Sequence, residues 1–234
     1  AHRSQIHGSG IHSITACHEW PKAIATIFDA VGDDRALLAA WHQGDQNAGQ
    51  RLFARHFDAV CRFFTTKVAD GIDDLVQRTF TACLERRDDW PADVEFRPYL
   101  FGIARNILRR RYREKEFAAR RFDPLEHSAA DAAPSLSSIA HARAEADLLG
   151  RALQRLPIDL QIAIELRFWE DMTAAQIGTV LEIPEGTAKT RLRRARLLLQ
   201  EAIEKMASTP ALGRSTNESL ESWASMVRAA LSTS

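Results

Sequence analysis

The sequence predicts an all-α protein of two small helical domains joined by a flexible linker. Three observations carry that expectation. Glycine and proline are scarce, with 11 and 8 in 234 residues. No segment alternates apolar and polar residues with the period of two that a half-buried strand requires. Apolar residues return instead at three-and-four spacing almost throughout, in a chain dominated by Leu, Ala and Arg.

The elements follow in chain order. Asp33 and Asp34 precede Leu37, Leu38 and Trp41, an acidic start to a short helix that Gly44-Asp45 break. Leu52, Phe53, His56, Phe57, Val60, Phe63 and Phe64 form the stripe of a second, strongly amphipathic helix, ended by Gly71. Asp73 and Asp74 are expected to cap a third helix, striped by Leu75, Val76, Thr79, Phe80, Cys83 and Leu84. Pro98 suits the first turn of a fourth, running to about Glu116. Composition then shifts to Pro, Ala and Ser with little periodicity, which reads as a linker over 122–145. Helical spacing resumes at Ala146, and Pro157, Met172-Thr173 and Ile183-Pro184 divide the remainder into four helices. The expected organisation is a leader over 1–32, flexible or foreign to the native chain, a first domain over 33–121, the linker, a second domain over 146–206 and an extension over 207–234. Leu220, Trp223, Val227 and Leu231 mark an amphipathic candidate in that extension.

Composition excludes several classes. Thirty-one Lys and Arg balance 31 Asp and Glu, which argues against a uniformly basic nucleic-acid coat or an acidic tail protein. No apolar run approaches the roughly 18–20 residues of a membrane span, and the N-terminus lacks the order of a secretory signal, so a cytoplasmic protein with no membrane contact is expected. Cys17, Cys61 and Cys83 form no CxxC and no disulfide framework. His2, His7, His12 and His18 lie near Cys17 but read as leader rather than a zinc site. No metal, cofactor or catalytic constellation is expected.

The cancelled charge hides segregation. Between Arg97 and Arg121 nine basic residues face two acidic ones, and between Glu185 and Arg196 five face one. The linker is acidic, carrying Asp123, Glu126 and Asp131. Two basic helices in different domains point to a polyanion. Phe96, Tyr99 and Phe101 beside the first cluster suit a single strand, whose bases stack while arginines neutralise the backbone, although Phe101 fits the core better. Around the second cluster, Met172 to Gly178 starting a short helix with a Thr cap, the turn Leu181-Glu182-Ile183-Pro184 and the helix opening at Glu185 have helix-turn-helix spacing. Ile177, Val180, Leu181, Ala188 and Leu192 face inward in that pattern, and Thr187, Lys189, Thr190 and Arg191 outward.

At these residues the chain resembles the sigma-70 family of RNA polymerase sigma factors, specifically the extracytoplasmic-function (ECF) group. Asp73-Asp74-Leu75-Val76-Gln77-Arg78-Thr79-Phe80 resembles the family's region 2.2, and Phe96 to Asn106 resembles regions 2.3 to 2.4. Leu156-Pro157, Leu166-Arg167-Phe168 and Thr173 to Arg196 resemble region 4, most specifically in the string from Pro184 to Arg196. The resemblance spans about residues 34–117 and 146–205. It implies a non-enzymatic promoter-specificity subunit whose partners are core RNA polymerase, through the β′ clamp and β flap, and promoter DNA. Asp73, Asp74, Leu75, Gln77 and Phe80 match polymerase-facing positions, with Leu75 and Phe80 equally suited to the core. Arg97, Tyr99, Arg105 and Asn106 match the promoter-melting helix, with Arg109, Arg110 and Arg113 placed for −10 phosphates. Thr187, Lys189, Thr190, Arg191 and Arg194 match the −35 reader. A stand-alone helix-turn-helix regulator is the alternative, and an enzyme carrying this module would need a nucleophile or carboxylate cluster that the chain does not display.

One departure bears on regulation. The family usually has acidic residues where this chain has Gly71 and Arg78, so docking on a basic polymerase surface should weaken. Phosphorylation of Thr66, Thr65 or Thr79 would restore charge, adding about −1.5 to −2 at neutral pH. A Ser/Thr kinase or an anti-sigma factor is therefore the expected kind of regulator.

Overall fold

The computed structural model describes residues 33–87, 90, 94–116, 125 and 144–207. The leader, nearly all of the linker, the C-terminal extension and the amphipathic candidate in it lie outside these residues, as do Cys17 and the four N-terminal histidines. The described residues form eight helices and no strand, so the protein is all-α. They are α1 (Asp34–His42), α2 (Gln46–Thr65), α3 (Ile72–Glu85), α4 (Phe96–Glu116), α5 (Ala144–Gln154), α6 (Ile158–Phe168), α7 (Ala174–Leu181) and α8 (Glu185–Met206).

Local signals explain the boundaries. Asp45 caps α2 by accepting hydrogen bonds from the amides of Asn47 (2.9 Å) and Ala48 (3.2 Å). Asp73 and Asp74 do not cap α3. Its N-cap is Gly71 at φ 71°, and the two aspartates sit in the first turn, where they favour the positive end of the helix dipole. Thr173 and Gln176 form a reciprocal capping box at the start of α7. The last two residues expected in the linker, 144 and 145, already belong to α5.

Helices α1 to α4 pack as one bundle around Trp41, Leu52, Phe64, Leu75, Leu100 and Leu108, all essentially buried. Helices α5, α6 and α8 enclose a second core of Leu149, Leu153, Leu160, Ile164, Leu199 and Ile203. Helix α6 lies between the two cores. Its Ile158, Ile162 and Leu166 join the first bundle, while Leu160 and Ile164 face the second. All nine residues from Ile158 to Leu166 are buried. Helix α4 packs along α7, so Ile177, Val180, Leu181 and Ala188 continue the apolar cluster of the first bundle.

Candidate nucleic-acid interface

The site has three parts, set by three helices. On α3, Asp73, Asp74 and Gln77 are exposed, the two aspartates in the first turn. Asp74 and Gln77 border an open groove of about 410 Å³ between α3 and α4, whose wall includes Ile107, Arg110, Arg111 and Glu114. Leu75 is buried and Phe80 half-buried in the aromatic cluster with Phe53 and Phe57, so both pack within the bundle. Arg78 pairs with Asp74 at 2.9 Å one turn earlier, which cancels part of the negative charge on this face.

Helix α4 carries the second part. Tyr99 is half-buried against Trp90, ring centroids 4.1 Å apart, and Trp90 stacks on Phe96 at 5.3 Å. This sets the half-buried tyrosine on an aromatic floor that joins the core. Phe101 is buried, as expected of a core residue. Arg110 and Arg113 are exposed and Arg109 is half-buried, along one side of the C-terminal half of the helix. Arg110 makes only an exposed pair with Glu114 at 2.9 Å, an interaction too weak in water to withhold it from a phosphate.

The third part is the helix-turn-helix. Glu182 adopts the left-handed conformation at φ 56°, which closes α7 and turns the chain into α8. The Ile183 amide donates to the Gly178 carbonyl at 2.9 Å, and the Glu182 amide to Thr179 at 3.2 Å. Thr187, Lys189, Thr190 and Arg194 are consequently exposed on the first turns of α8, while Ala188 and Ala195 are buried beneath them.

Four expected readers already have protein partners. Arg105 is 3% exposed and gives two hydrogen bonds to Asp159, at 3.1 and 3.0 Å. Arg191, expected to face outward, turns to the same carboxylate at 3.0 Å. Arg97 pairs with Glu170 at 2.6 Å, and Asn106 donates to Glu182 at 3.2 Å. Sequence reasoning missed Asp159, Glu165, Glu170 and Lys67. The available signal was α6 itself, whose polar residues at 159, 161 and 165 are spread through an apolar run and leave no solvent face.

The candidate threonines differ in access. Thr79 is buried and donates to the Leu75 carbonyl at 2.8 Å. Thr65 is half-buried and donates to Cys61 at 2.9 Å. The Thr66 hydroxyl lies 3.0 Å from the Lys67 ammonium and 3.3 Å from Glu165, against α6 rather than on the exposed face of α3. Among the described residues no His, Cys, Asp and Glu cluster could hold a metal ion, and no helix is long and apolar enough to cross a membrane.

Comparison with known proteins fits this geometry. The family descriptions "Sigma-70 region 2" and "Sigma-70, region 4" match residues 52–117 and 146–206, the segments containing α3–α4 and α7–α8. RNA polymerase sigma factor NccH of Alcaligenes xylosoxydans xylosoxydans is 31% identical over 179 residues, 73% of this chain and 95% of that protein. The ECF RNA polymerase sigma-E factor of Haemophilus influenzae is 28% identical over 186 residues, 74% of this chain and 96% of its own length. Among solved structures, CnrH in complex with the cytosolic domain of CnrY superposes with a TM-score of 0.56 and 27% identity, covering 74% of this chain and 99% of that one. The sigma factor RpoE of Bartonella quintana, solved with the anti-sigma factor NepR, shares the fold at a TM-score of 0.51 and 21% identity, over 66% and 96% of the two chains. With both regions matched in order and their exposed acidic and basic helices in place, the chain belongs to the sigma-70 family, as a DNA-binding transcription-initiation factor of the ECF group.

Proposed function

We propose that the first bundle docks on the β′ clamp of core RNA polymerase through Asp73, Asp74 and Gln77 and opens the −10 element with α4, while the second unit reads the −35 element with α8. The observation that carries this reading is the exposure of Thr187, Lys189, Thr190 and Arg194 on the first turns of the helix-turn-helix, the part of such a helix that enters a major groove. On α4, Tyr99 supplies a stacking surface and Arg109, Arg110 and Arg113 supply phosphate contacts. The second unit also meets the β flap. The chemistry of chain synthesis belongs to the polymerase, and this chain contributes no catalytic group and no cofactor. Run-off transcription with core polymerase on a pool of promoter fragments tests the reading. Initiation that depends on the chain supports it, whereas DNA binding without polymerase-dependent initiation would identify a stand-alone regulator. Arg191→Ala should relax −35 sequence preference by about 1–3 kcal/mol at one base pair.

The control of this activity falls to an anti-sigma factor or to a kinase acting on Thr66, with Thr65 as the second acceptor. Two observations favour a charge-restoring phosphate: Arg78 neutralises Asp74 on the docking face, and Gly71 supplies no carboxylate there. Thr66 is closed off by Glu165 in the described conformation, so a kinase reaches it only after α6 is lifted away. Polymerase affinity measured for Thr66→Ala, Thr66→Glu and kinase-treated protein tests this. Equal affinities would remove phosphorylation and leave an anti-sigma partner, the kind of partner present in the RpoE complex.

A further inference from the structure

Helix α8 runs on well past the helix-turn-helix, and its second half presents an uncovered leucine. Leu197 is 54% exposed there. It shares the outer face of α8 with Arg193, Arg194, Glu201 and Glu204, all exposed, while Ala195, Leu199 and Ile203 are buried on the inner face. Arg193 and Arg194 have no ion-pair partner among the described residues, and Glu201 has only an exposed pair with Lys205 at 4.0 Å. A single exposed leucine is ordinary on a protein surface. What sets this one apart is a matching pattern later in the same chain.

Residues 208–234 follow α8 and lie outside the described residues. In them Leu220, Trp223, Ala224 and Val227 stand at i, i+3, i+4 and i+7, the four positions that make a hole for one knob of a neighbouring helix. The small side chain of Ala224 leaves room at its centre. The charges select one register. Arg194 and Glu201 are seven residues apart on α8, and Glu221 and Arg228 are seven apart in the extension with the signs reversed. With Leu197 level with Ala224, a parallel pairing sets Glu221 against Arg194 and Arg228 against Glu201, whereas an antiparallel pairing brings like charges together. The chain is long enough to return. Arg193, level with Leu220, lies about 20 Å back along α8 from Met206, and residues 207–219 reach about 40 Å when extended. Pro210 and Gly213 are turn-forming residues within that stretch.

We propose that the C-terminal extension docks as a parallel helix on the second half of α8, with Leu197 seated among Leu220, Trp223, Ala224 and Val227. The contact leaves Thr187, Lys189 and Thr190 open. Of the residues assigned to DNA it takes Arg194 alone, so it trims sequence-blind phosphate attraction rather than base reading. That consequence, unlike the contact itself, rests on the reading of α8 as the −35 reader.

Cysteine pairs in the full-length chain, with Cys17→Ser, test the contact. Leu197→Cys with Ala224→Cys should form a disulfide under mild oxidation, read by peptide mass mapping. It should form about tenfold faster than Leu197→Cys with Ser222→Cys, whose second position lies on the opposite side of the extension's helix. Arg194→Glu should slow the cross-link, and adding Glu221→Arg should restore it, a rescue that a loose tail would not show. Equal rates for the two cysteine pairs, or no rescue, would overturn the proposal. A cross-link found only in covalent dimers would assign Leu197 to a second copy. An unlinked chain whose Leu197→Glu variant loses polymerase affinity would assign it to the β flap, and either result overturns the proposal too. Deleting 208–234 should steepen the salt dependence of DNA binding by about one unit of slope as Arg194 returns to solvent. A cross-link in a chain that binds no DNA, whole or truncated, would remove the reading of α8 and leave the contact standing.

Discussion

Gly178→Ala should destabilise the protein, although alanine is the better helix former. A Cβ at this position in α7 would stand 2.8 Å from the Ile183 carbonyl oxygen, about 0.6 Å inside the 3.4 Å at which ordinary contact begins. The obstacle is backbone. It belongs to the turn whose Ile183 amide donates to Gly178 itself at 2.9 Å, so it moves only if that turn opens. Overpacking of this kind costs about 1–3 kcal/mol, and a strained turn hydrogen bond about 1 more. Helix propensity returns about 1 kcal/mol. The net is a loss of roughly 1–3 kcal/mol, or about 2–4 °C in melting temperature for each kcal/mol at this chain length. The control is Gly102→Ala in α4, where a Cβ meets nothing within 4 Å and should gain about 1 kcal/mol. Thermal melts by circular dichroism separate the two. A Gly178→Ala protein that melts at or above the wild type would refute the close approach of α7 to the turn, and with it the geometry by which α8 is presented.

Three further outcomes follow from the same structure. Burial opposes ionisation of Asp34, yet the hydrogen bond and charge of His56 outweigh it with help from Arg55, and hold the carboxyl at about 2 against an ordinary 3.8. Because the native value is depressed, the stabilisation is complete above about pH 4 and disappears as pH falls toward 2; Asp34→Asn should lose roughly 1 kcal/mol in urea titrations at pH 7, after allowance for solvent screening, and match wild type near pH 2. Burial pushes the Cys83 thiol up to about 12, so peptide mapping after alkylation at pH 8 should find Cys83 unmodified in native protein and modified only in urea. Arg110→Ala and Arg113→Ala, both at exposed positions on α4, should each flatten the salt dependence of DNA binding by about one unit of slope without changing sequence preference.

The parts legible in the sequence are those governed by neighbours a few residues apart. The Thr173 cap, the inward set of Ile177, Val180, Leu181 and Ala188 and the buried Phe101 are all consequences of one helix turn or one helix face. The start of α3 was misread because two aspartates resemble a cap, while the backbone at Gly71 takes a left-handed conformation that a carboxylate side chain does not signal. Arg191 and Arg105 were assigned to solvent for the same reason. A helical wheel places a residue relative to its own helix, and their common partner Asp159 lies 32 and 54 residues away.

That separation changes what the balanced charge of the chain means. Thirty-one basic and 31 acidic residues look like an accident of composition when the basic ones cluster on two helices. In the folded protein two of those arginines, Arg97 and Arg105, meet carboxylates supplied by the other unit, across sequence distances of 73 and 54 residues. A helix with a solvent face can shed a charge into water at little cost, but α6 has none, and its Asp159, Gln161 and Glu165 are tolerated only because Arg105, Arg191, Thr66 and Lys67 meet them. Separating the two units would part Arg105 from Asp159 and Arg97 from Glu170, while Arg191 on α8 would stay paired with Asp159 on α6. The two α4 arginines would then lack a partner, and a polyanion offers them one at a strength that falls as salt rises.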